Sequence, residues 1–454
     1  MAFIGVDIGS SFVKAAVLDV DSLALIRTAR APFPETVSGL PTGHFEIDPL
    51  QIAATVEFTI RELLDGPEEI SGILFCSQMG GLVVVDQDGR PLSNYISWRD
   101  QRSVLTEGRS NDSSYRRLRE RIGDDLFGTI GRELKPGSML SLLDWLHERG
   151  RLPRTGVPLG LGEFVVQRLC VAPAVVEPTS ALGTLDLAPC KWALRVFAAA
   201  GLPELNWPRL AEFHNSAGEY KAGRRTIPCY PAIGDHQAAL AGALLQSGEL
   251  SINVSTGSQV SQITESLRLG NCQTRRYFDG RYLNTLTHLP AGRSLQVLID
   301  LLTELARKSG QAIDDPWKLA VEAAEAAPES GLEVDLSFFS GPMGDRGSIE
   351  GISTDNLTVG NLFRGAFLNM AENYAICAQH VVGGSGWTKI VFSGGLVQKI
   401  ALLRRLIADE IRGDYRVAPF AEDTLIGLLA LALVVSGRAE SVTRASELLS
   451  TSNH

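Results

Sequence analysis

The chain has 454 residues, too many for one hydrophobic core, so two or three domains are expected. Hydrophobic residues make up 44% and charged residues 21%, the balance of a globular protein. A net charge of −10 argues against a nucleic-acid partner, whose electrostatic footprint is basic.

The predicted elements begin with "IGVDIGSSFVKAAVLD" (4–19), which reads as a strand, a tight turn and a second strand. "DPLQIAATVEFTIRELLDG" (48–66) is a helix. Asp48 caps it, Pro49 suits its first position, and Ile52, Val56, Ile60, Leu63 and Leu64 share one face. "ISGILFCSQMGGLVVVDQDGRPL" (70–92) is a strand, a loop and a hairpin with "DQDG" as its turn. The basic cluster Arg116, Arg117, Arg119 and Arg121 reads as a solvated helix face. Helices are expected at 138–149 and 190–200.

"YPAIGDHQAALAGALL" (230–245) passes from a strand end through Gly-Asp into an Ala-rich helix. "LSINVSTGSQVSQIT" (250–264) is a second strand, Gly turn and strand. Helices follow at 292–310 and 360–382. "KIVFSGG" (389–395) is a strand ending in glycines, and 401–413 is a helix with a glycine stop. The apolar run 425–435 is far shorter than a membrane span and reads as a buried helix. The six cysteines form no CxxC pair and fit buried thiols of a reducing compartment. The N-terminus lacks the pattern of a signal peptide. A cytoplasmic protein with no membrane partner is expected.

One internal echo links the two ends of this list. Aligning Ile4 with Ile252 places Val6 on Val254, Asp7 on Ser255, Gly9 on Gly257 and Ser10 on Ser258. Both segments are strand, polar Gly turn, strand. The pattern suggests two related α/β halves, each opening with a phosphate-facing hairpin.

The chemistry-bearing residues sit in such turns. No P-loop and no nucleophile elbow is present. Asp7, Gly9, Ser10, Ser11 and Lys14 offer an acid for magnesium and amides, hydroxyls and an amine for phosphate oxygens. A plain hairpin with an Asx-type turn explains the same residues. Ser255, Thr256, Gly257 and Ser258 give a second turn without an acid. Asp235, at a strand-to-helix junction, is either an N-cap or a general base for an attacking hydroxyl. Gln78, Trp98, Arg99 and Asp100 could face a sugar, or pack and pair locally. Gly394 and Gly395 allow close approach of a flat ligand, or form an ordinary loop.

Taken in order, "GVDIGSSFVKAAV", "SQMGGLVVVD", "SWRDQR", "GDHQAALAGALL", "NVSTGS" and "FSGGL" resemble the FGGY carbohydrate kinases over about residues 3–435. The resemblance implies the fold shared with actin and hexokinase: two ribonuclease-H-like α/β domains facing a central cleft. It implies a sugar-binding N-terminal domain at 1–243 and an ATP-binding C-terminal domain at 244–454. Asp7 then corresponds to the aspartate near magnesium, Lys14 to a basic position, and Asp235 to the catalytic base that also lies near the metal. Gln78, Met79, Trp98, Arg99, Asp100 and His236 fall at sugar-contact positions. Gly9, Ser10, Ser11, Lys14, Ser255, Thr256, Gly257, Gly394 and Gly395 fall at ATP positions.

Three departures stand out. Gly80 replaces a histidine common in the family. The Arg-Glu pair of glycerol kinases is missing. Gly365 and Leu368 break the C-terminal signature. Three longer stretches are most similar to the sedoheptulose kinase branch. The implied reaction moves the γ-phosphoryl of Mg-ATP to a primary hydroxyl of a ketose, sedoheptulose first and a pentulose as the alternative. The readings from other classes are a catalytically silent sugar-binding regulator and an actin-like ATPase, the latter opposed by the "SQMGG" and "SWRDQR" stretches. A homodimer is consistent with such families.

Overall fold

The hairpin expected at the N-terminus opens the first of the two large sheets. The computed structural model describes residues 1–106, 112–153, 155–328, 330–384 and 386–451. Strands β1 (Ala2–Ile8) and β2 (Phe12–Asp19) pair antiparallel, with Asp7 opposite Lys14 and Ile8 opposite Val13. All seven residues of β1 are buried, as expected of a central strand covered on both faces. Strand β3 (Ala24–Pro32) continues the meander beside β2. Helix α1 (Pro49–Leu64) starts as expected, with the Asp48 carboxylate accepting the Leu50 N–H, and buries Ile52, Val56, Ile60 and Leu63. Strand β4 (Ile70–Ser77) lies parallel to β1, with Asp7 beside Cys76 and Ile8 beside Ser77. On its other side runs the short β5 (Ile233–Gly234), also parallel, with Gly234 beside Ser77.

The second sheet repeats this order. Strands β6 (Glu249–Val254) and β7 (Ser258–Thr264) form an antiparallel hairpin, and β8 (Tyr282–Leu289) continues it beside β7. Strand β9 (Lys389–Ser393) lies parallel to β6, and β10 (Tyr415–Val417) parallel to β9. The echo between Ile4 and Ile252 is therefore the start of one strand order used twice: a three-strand meander, then two parallel strands beside its first member.

The chain divides into two compact units. One holds Met1–Leu244, Thr274–Tyr282 and Glu422–His454; the other holds Leu245–Gln273 and Leu283–Ala421. Contiguous halves, 1–243 and 244–454, differ from these units in two segments. The apolar helix Asp423–Val435 is buried almost throughout, as its sequence suggests, and packs with the first unit. Gly242 and Gly427 explain how: a Cβ on Gly242 would lie 1.7 Å from the Asp423 carbonyl oxygen, and one on Gly427 2.0 Å from the Ala238 oxygen. Only glycine lets the helix beginning at Asp235 and the helix beginning at Asp423 cross so closely.

Other local expectations shift slightly. The helix expected at 190–200 begins at Leu194, because Lys191–Trp192 pairs with Leu185–Asp186 as a two-stranded ribbon. The helix from Ala401 ends at Ile411 with Arg412, rather than a glycine, in the left-handed conformation at φ 58°. The arginines of 116–121 form ion pairs: Arg116 with Glu120, Arg117 with Glu148, Arg119 with Asp124, and Arg121 with Asp144. All six cysteines are free thiols, five of them buried. No helix among the described residues is long and apolar enough to cross a membrane.

Candidate active site

In the first unit, Asp7 and Asp235 stand at the C-terminal ends of parallel strands, where open α/β sheets place their ligands. Strand β4 lies between them, so their backbones are two strand spacings apart, about 10 Å. Asp7 is buried; one carboxylate oxygen accepts the Thr424 hydroxyl at 2.7 Å. Burial raises its pKa, opposed by Thr424 and the Lys14 charge. Asp235 is the first residue of the helix Asp235–Gly242, and its Oδ1 accepts the His236 N–H at 2.8 Å. Its pKa is pushed up to about 7, first by burial and then by the Asp7 charge. Two carboxylates that disfavour each other's ionisation suit a hydrated Mg²⁺ ion, which is held through one or two carboxylates together with phosphates. No group of three or more metal-ligating side chains is assembled among the described residues, so waters and phosphates would complete the shell.

The Gly9–Ser11 turn is held from below. Gln78 donates its N–H to the Ile8 carbonyl at 3.0 Å and its side-chain amide to the Gly9 carbonyl at 3.3 Å. Trp98 Nε1 donates to the Gln78 side-chain oxygen at 2.9 Å, and Arg99 Nη2 donates to the Ser10 carbonyl at 3.5 Å. Gln78, Trp98 and Arg99 are thus brought together with the first turn. Met79 joins them: its sulfur lies 2.4 Å from where a Cβ on Gly234 would sit.

One residue is placed differently from its sequence reading. Asp100 is fully buried, accepting the Phe45 N–H at 2.7 Å and pairing with Arg102, which also pairs with Glu46. It fastens a loop and presents no surface to a sugar. Lys14 Nζ pairs with Glu422 at 2.6 Å, so its amine is engaged within its own unit. Gly80 has φ +81°, and a Cβ there would sit 3.1 Å from Cβ of Trp98. A side chain on this backbone, histidine included, would be strained.

His236 is buried, with its Nδ1 2.8 Å from Arg275 Nη1. A guanidinium can only donate, so Nδ1 accepts and the ring is neutral with its proton on Nε2. Burial, then Arg275 and Lys135, drive its pKa well below the ordinary value. Arg275 in turn pairs with buried Glu133, and burial lowers the Lys135 pKa to about 8. The sequence reading missed Arg275, Glu133, Lys135 and Thr424. "QTRRYF", two arginines inside an apolar strand, was the available signal for Arg275.

In the second unit, Ser255, Thr256 and Gly257 form the exposed tip of the β6–β7 hairpin. The tip is bolted down by the helix Gly292–Lys308: Gly292 N–H donates to the Ser255 carbonyl at 3.1 Å and Arg293 N–H to the Thr256 carbonyl at 2.8 Å. Ser258 is buried and bonded to the Tyr374 hydroxyl at 2.6 Å. Asn253 donates to the Ser393 hydroxyl at 2.9 Å, joining the ends of β6 and β9. Gly394 has φ +89°, and a Cβ on it would lie 2.5 Å from the Val254 carbonyl oxygen. Its close crossing brings exposed Gly395 beside the hairpin tip. Ser255, Thr256, Gly257, Gly394 and Gly395 therefore form one glycine-rich end of the second sheet.

Residues 2–242 match the N-terminal domain of the FGGY family of carbohydrate kinases. A gluconokinase of Bacillus licheniformis is 22% identical, aligned over 99% of this chain and 91% of that protein. A xylulose kinase of Staphylococcus xylosus is 24% identical over 66% of this chain and 64% of its own length. Among solved structures, the ligand-bound xylulose kinase of Lactobacillus acidophilus superposes with a TM-score of 0.85 at 18% identity, covering 98% of this chain and 91% of that one. The gluconate kinase of the same organism gives 0.86 at 17% identity, covering 98% and 92%. The α/β fold of two related sheets is the fold of these sugar kinases. The chain belongs to the FGGY family of carbohydrate kinases.

Proposed function

We propose that this chain transfers the γ-phosphoryl group of ATP to a primary hydroxyl of a ketose, with Asp235 as the base. As a carbohydrate kinase it is a phosphotransferase acting on an alcohol group. The observation that carries the assignment of the base is the placement of Asp235: at a helix start, with a pKa near 7, at the same end of the sheet as a second carboxylate, Asp7, two strands away. A base poised near the working pH takes a hydroxyl proton efficiently.

The first unit supplies the sugar contacts in this reading. Gln78, Trp98, Arg99 and His236 are assigned to the sugar. Met79, whose sulfur lies against Gly234, is assigned with them. Within the second unit, Gly394 and Gly395 are assigned to adenosine and Ser255, Thr256 and Gly257 to phosphate; within the first unit, Gly9, Ser10 and Ser11 are assigned to phosphate. Asp7 and Asp235 would hold Mg²⁺, which neutralises phosphate charge when bound. Asp235 orients the acceptor hydroxyl and takes its proton late, so catalysis is mostly positioning and charge stabilisation.

Relatives named xylulose kinase and gluconokinase support an open-chain polyol acceptor. Sedoheptulose is the ketose that the chain's longer stretches favour, and xylulose and ribulose are the alternatives. The test is ADP release with Mg-ATP across sedoheptulose, xylulose, ribulose, fructose, gluconate, glycerol and erythritol, with Asp235→Asn as the blank. One ketose well above the rest is the expected result. Gluconate above every ketose would overturn the ketose assignment. Silence across the panel with ATP still bound would favour the sugar-binding regulator.

A further inference from the structure

A single buried turn grips both sides of Asp235. The turn lies at Glu177–Ser180, 55 residues before Gly234 in sequence. Thr179 Oγ1 accepts the Gly234 N–H at 3.1 Å, and the Thr179 carbonyl accepts the Gln237 side-chain amide at 3.3 Å. Gly234 immediately precedes Asp235, and Gln237 follows His236. Two residues of the presumed chemistry are thus bracketed by one clamp.

The clamp has its own support. Glu177 Oε2 accepts both the Thr179 N–H, at 2.7 Å, and the Thr179 hydroxyl. The hydroxyl proton is therefore directed at Glu177, which leaves a lone pair of the same oxygen facing Gly234. Ser180 donates its hydroxyl to Glu163, and its hydroxyl oxygen lies 2.8 Å from the Glu177 carbonyl. Glu163 sits in the first turn of the helix Leu161–Cys170, so the turn is fastened to a rigid element. Glu177 and Thr179 are 3% and 2% exposed. On the far side, Gln237 also donates to the Arg276 carbonyl at 3.1 Å, one residue from the arginine that holds His236.

We propose that Thr179 is a positioning residue for Asp235, its hydroxyl oriented by Glu177 to fix the strand end from which the base projects. The role rests on the kinase reading above. Ordinary packing would need only the methyl group of threonine. The hydroxyl is what Gly234 uses, and removing it leaves a buried N–H without an acceptor.

The experiment uses the full chain with its best sugar from the panel. Thr179→Val should lower kcat about tenfold or more, with KM for sugar and for Mg-ATP within about twofold and Mg-ATP still binding one per chain. Thr179→Ser, which keeps the hydroxyl, should restore kcat to within about twofold. Gln237→Met, which removes the second grip, should lower kcat in the same way but less. Binding stoichiometry separates a displaced base from a smaller folded fraction. Wild-type kcat in Thr179→Val, or equal losses in the Val and Ser variants, would overturn the role. Amide exchange at Gly234 tests the clamp without turnover: at least tenfold faster exchange in Thr179→Val than in Thr179→Ser is expected, and equal protection would sink it. If the wild-type chain phosphorylates nothing, the kinase reading fails while the exchange measurement still decides the clamp.

Discussion

The two glycine turns that begin the two sheets look alike in sequence and differ in why they hold glycine. At Gly9, a Cβ would lie 3.0 Å from the Phe12 carbonyl oxygen, so the turn itself is short of room. At Gly257, nothing lies within 4 Å of a Cβ and the backbone is not left-handed. The fold does not ask for glycine there. The first turn also carries a buried acid, Asp7, fixed by a hydroxyl that is distant in sequence; at the matching place the second has exposed Ser255. One turn therefore holds a buried charge, and the other leaves its backbone open. Both belong to the same strand order, so the difference is one of role within a repeated frame.

The largest effect should come from the charged side of this contrast. Asp235→Asn keeps the shape and the helix start but removes the proton acceptor. It should lower kcat about 10³-fold, within the range a general base supplies, while ATP binding measured by calorimetry stays within about twofold. Normal turnover in this variant would remove Asp235 from the base role. Next comes the open side. Gly257→Val should raise KM for Mg-ATP about tenfold or more with an unchanged melting temperature, because the branched side chain meets no protein atom. Unchanged ATP affinity would remove this turn from the phosphate site. Gly9→Ala should behave differently, costing about 1 kcal/mol of stability through crowding.

A smaller loss is expected at the partner of Asp7. Thr424→Val deletes a hydroxyl donor to a buried carboxylate and keeps the shape. A hydrogen bond to a charged group contributes about 1.5–3 kcal/mol, and part of that returns through Lys14. A fall of about fivefold to tenfold in kcat/KM for Mg-ATP is the expected reading. An unchanged value would show that Asp7 does not need its fixed orientation.

Much of this frame was legible in the sequence, for a physical reason. Asp7, Gly9, Asp235, Thr256 and Gly257 lie in tight turns, and turn chemistry is local. What was not legible came from long range. Thr424 meets Asp7 across 417 residues, and Thr179 meets Gly234 across 55. "AEDTLIG" announces a helix start, and no local pattern says what that start faces. Asp100 failed for the opposite reason: Arg102, two residues away, engages it, and "SWRDQR" reads equally well as a sugar contact or a local ion pair. The glycines of the helix crossing, Gly242 and Gly427, were read as part of ordinary apolar runs because their need arises only where two distant helices meet.

The last effect is thermodynamic and concerns the same aspartate as the first. The folded chain holds the Asp235 pKa at about 7, against about 3.9 in an unfolded chain. Between those values the folded state binds the proton and the unfolded state does not. The unfolded state therefore binds fewer protons, and stability falls as pH rises from about 4 to about 7, then levels. Asparagine at 235 has no such titration. Without nucleotide or Mg²⁺, the melting temperature of Asp235→Asn should match that of the wild type near pH 4 and exceed it by a few degrees above pH 7. A gap that does not change with pH would mean that the folded chain does not disfavour the charge. Asp7 and Asp235 would then not need a cation between them to ionise together, and the charged turn would lose the feature that separates it from the open one.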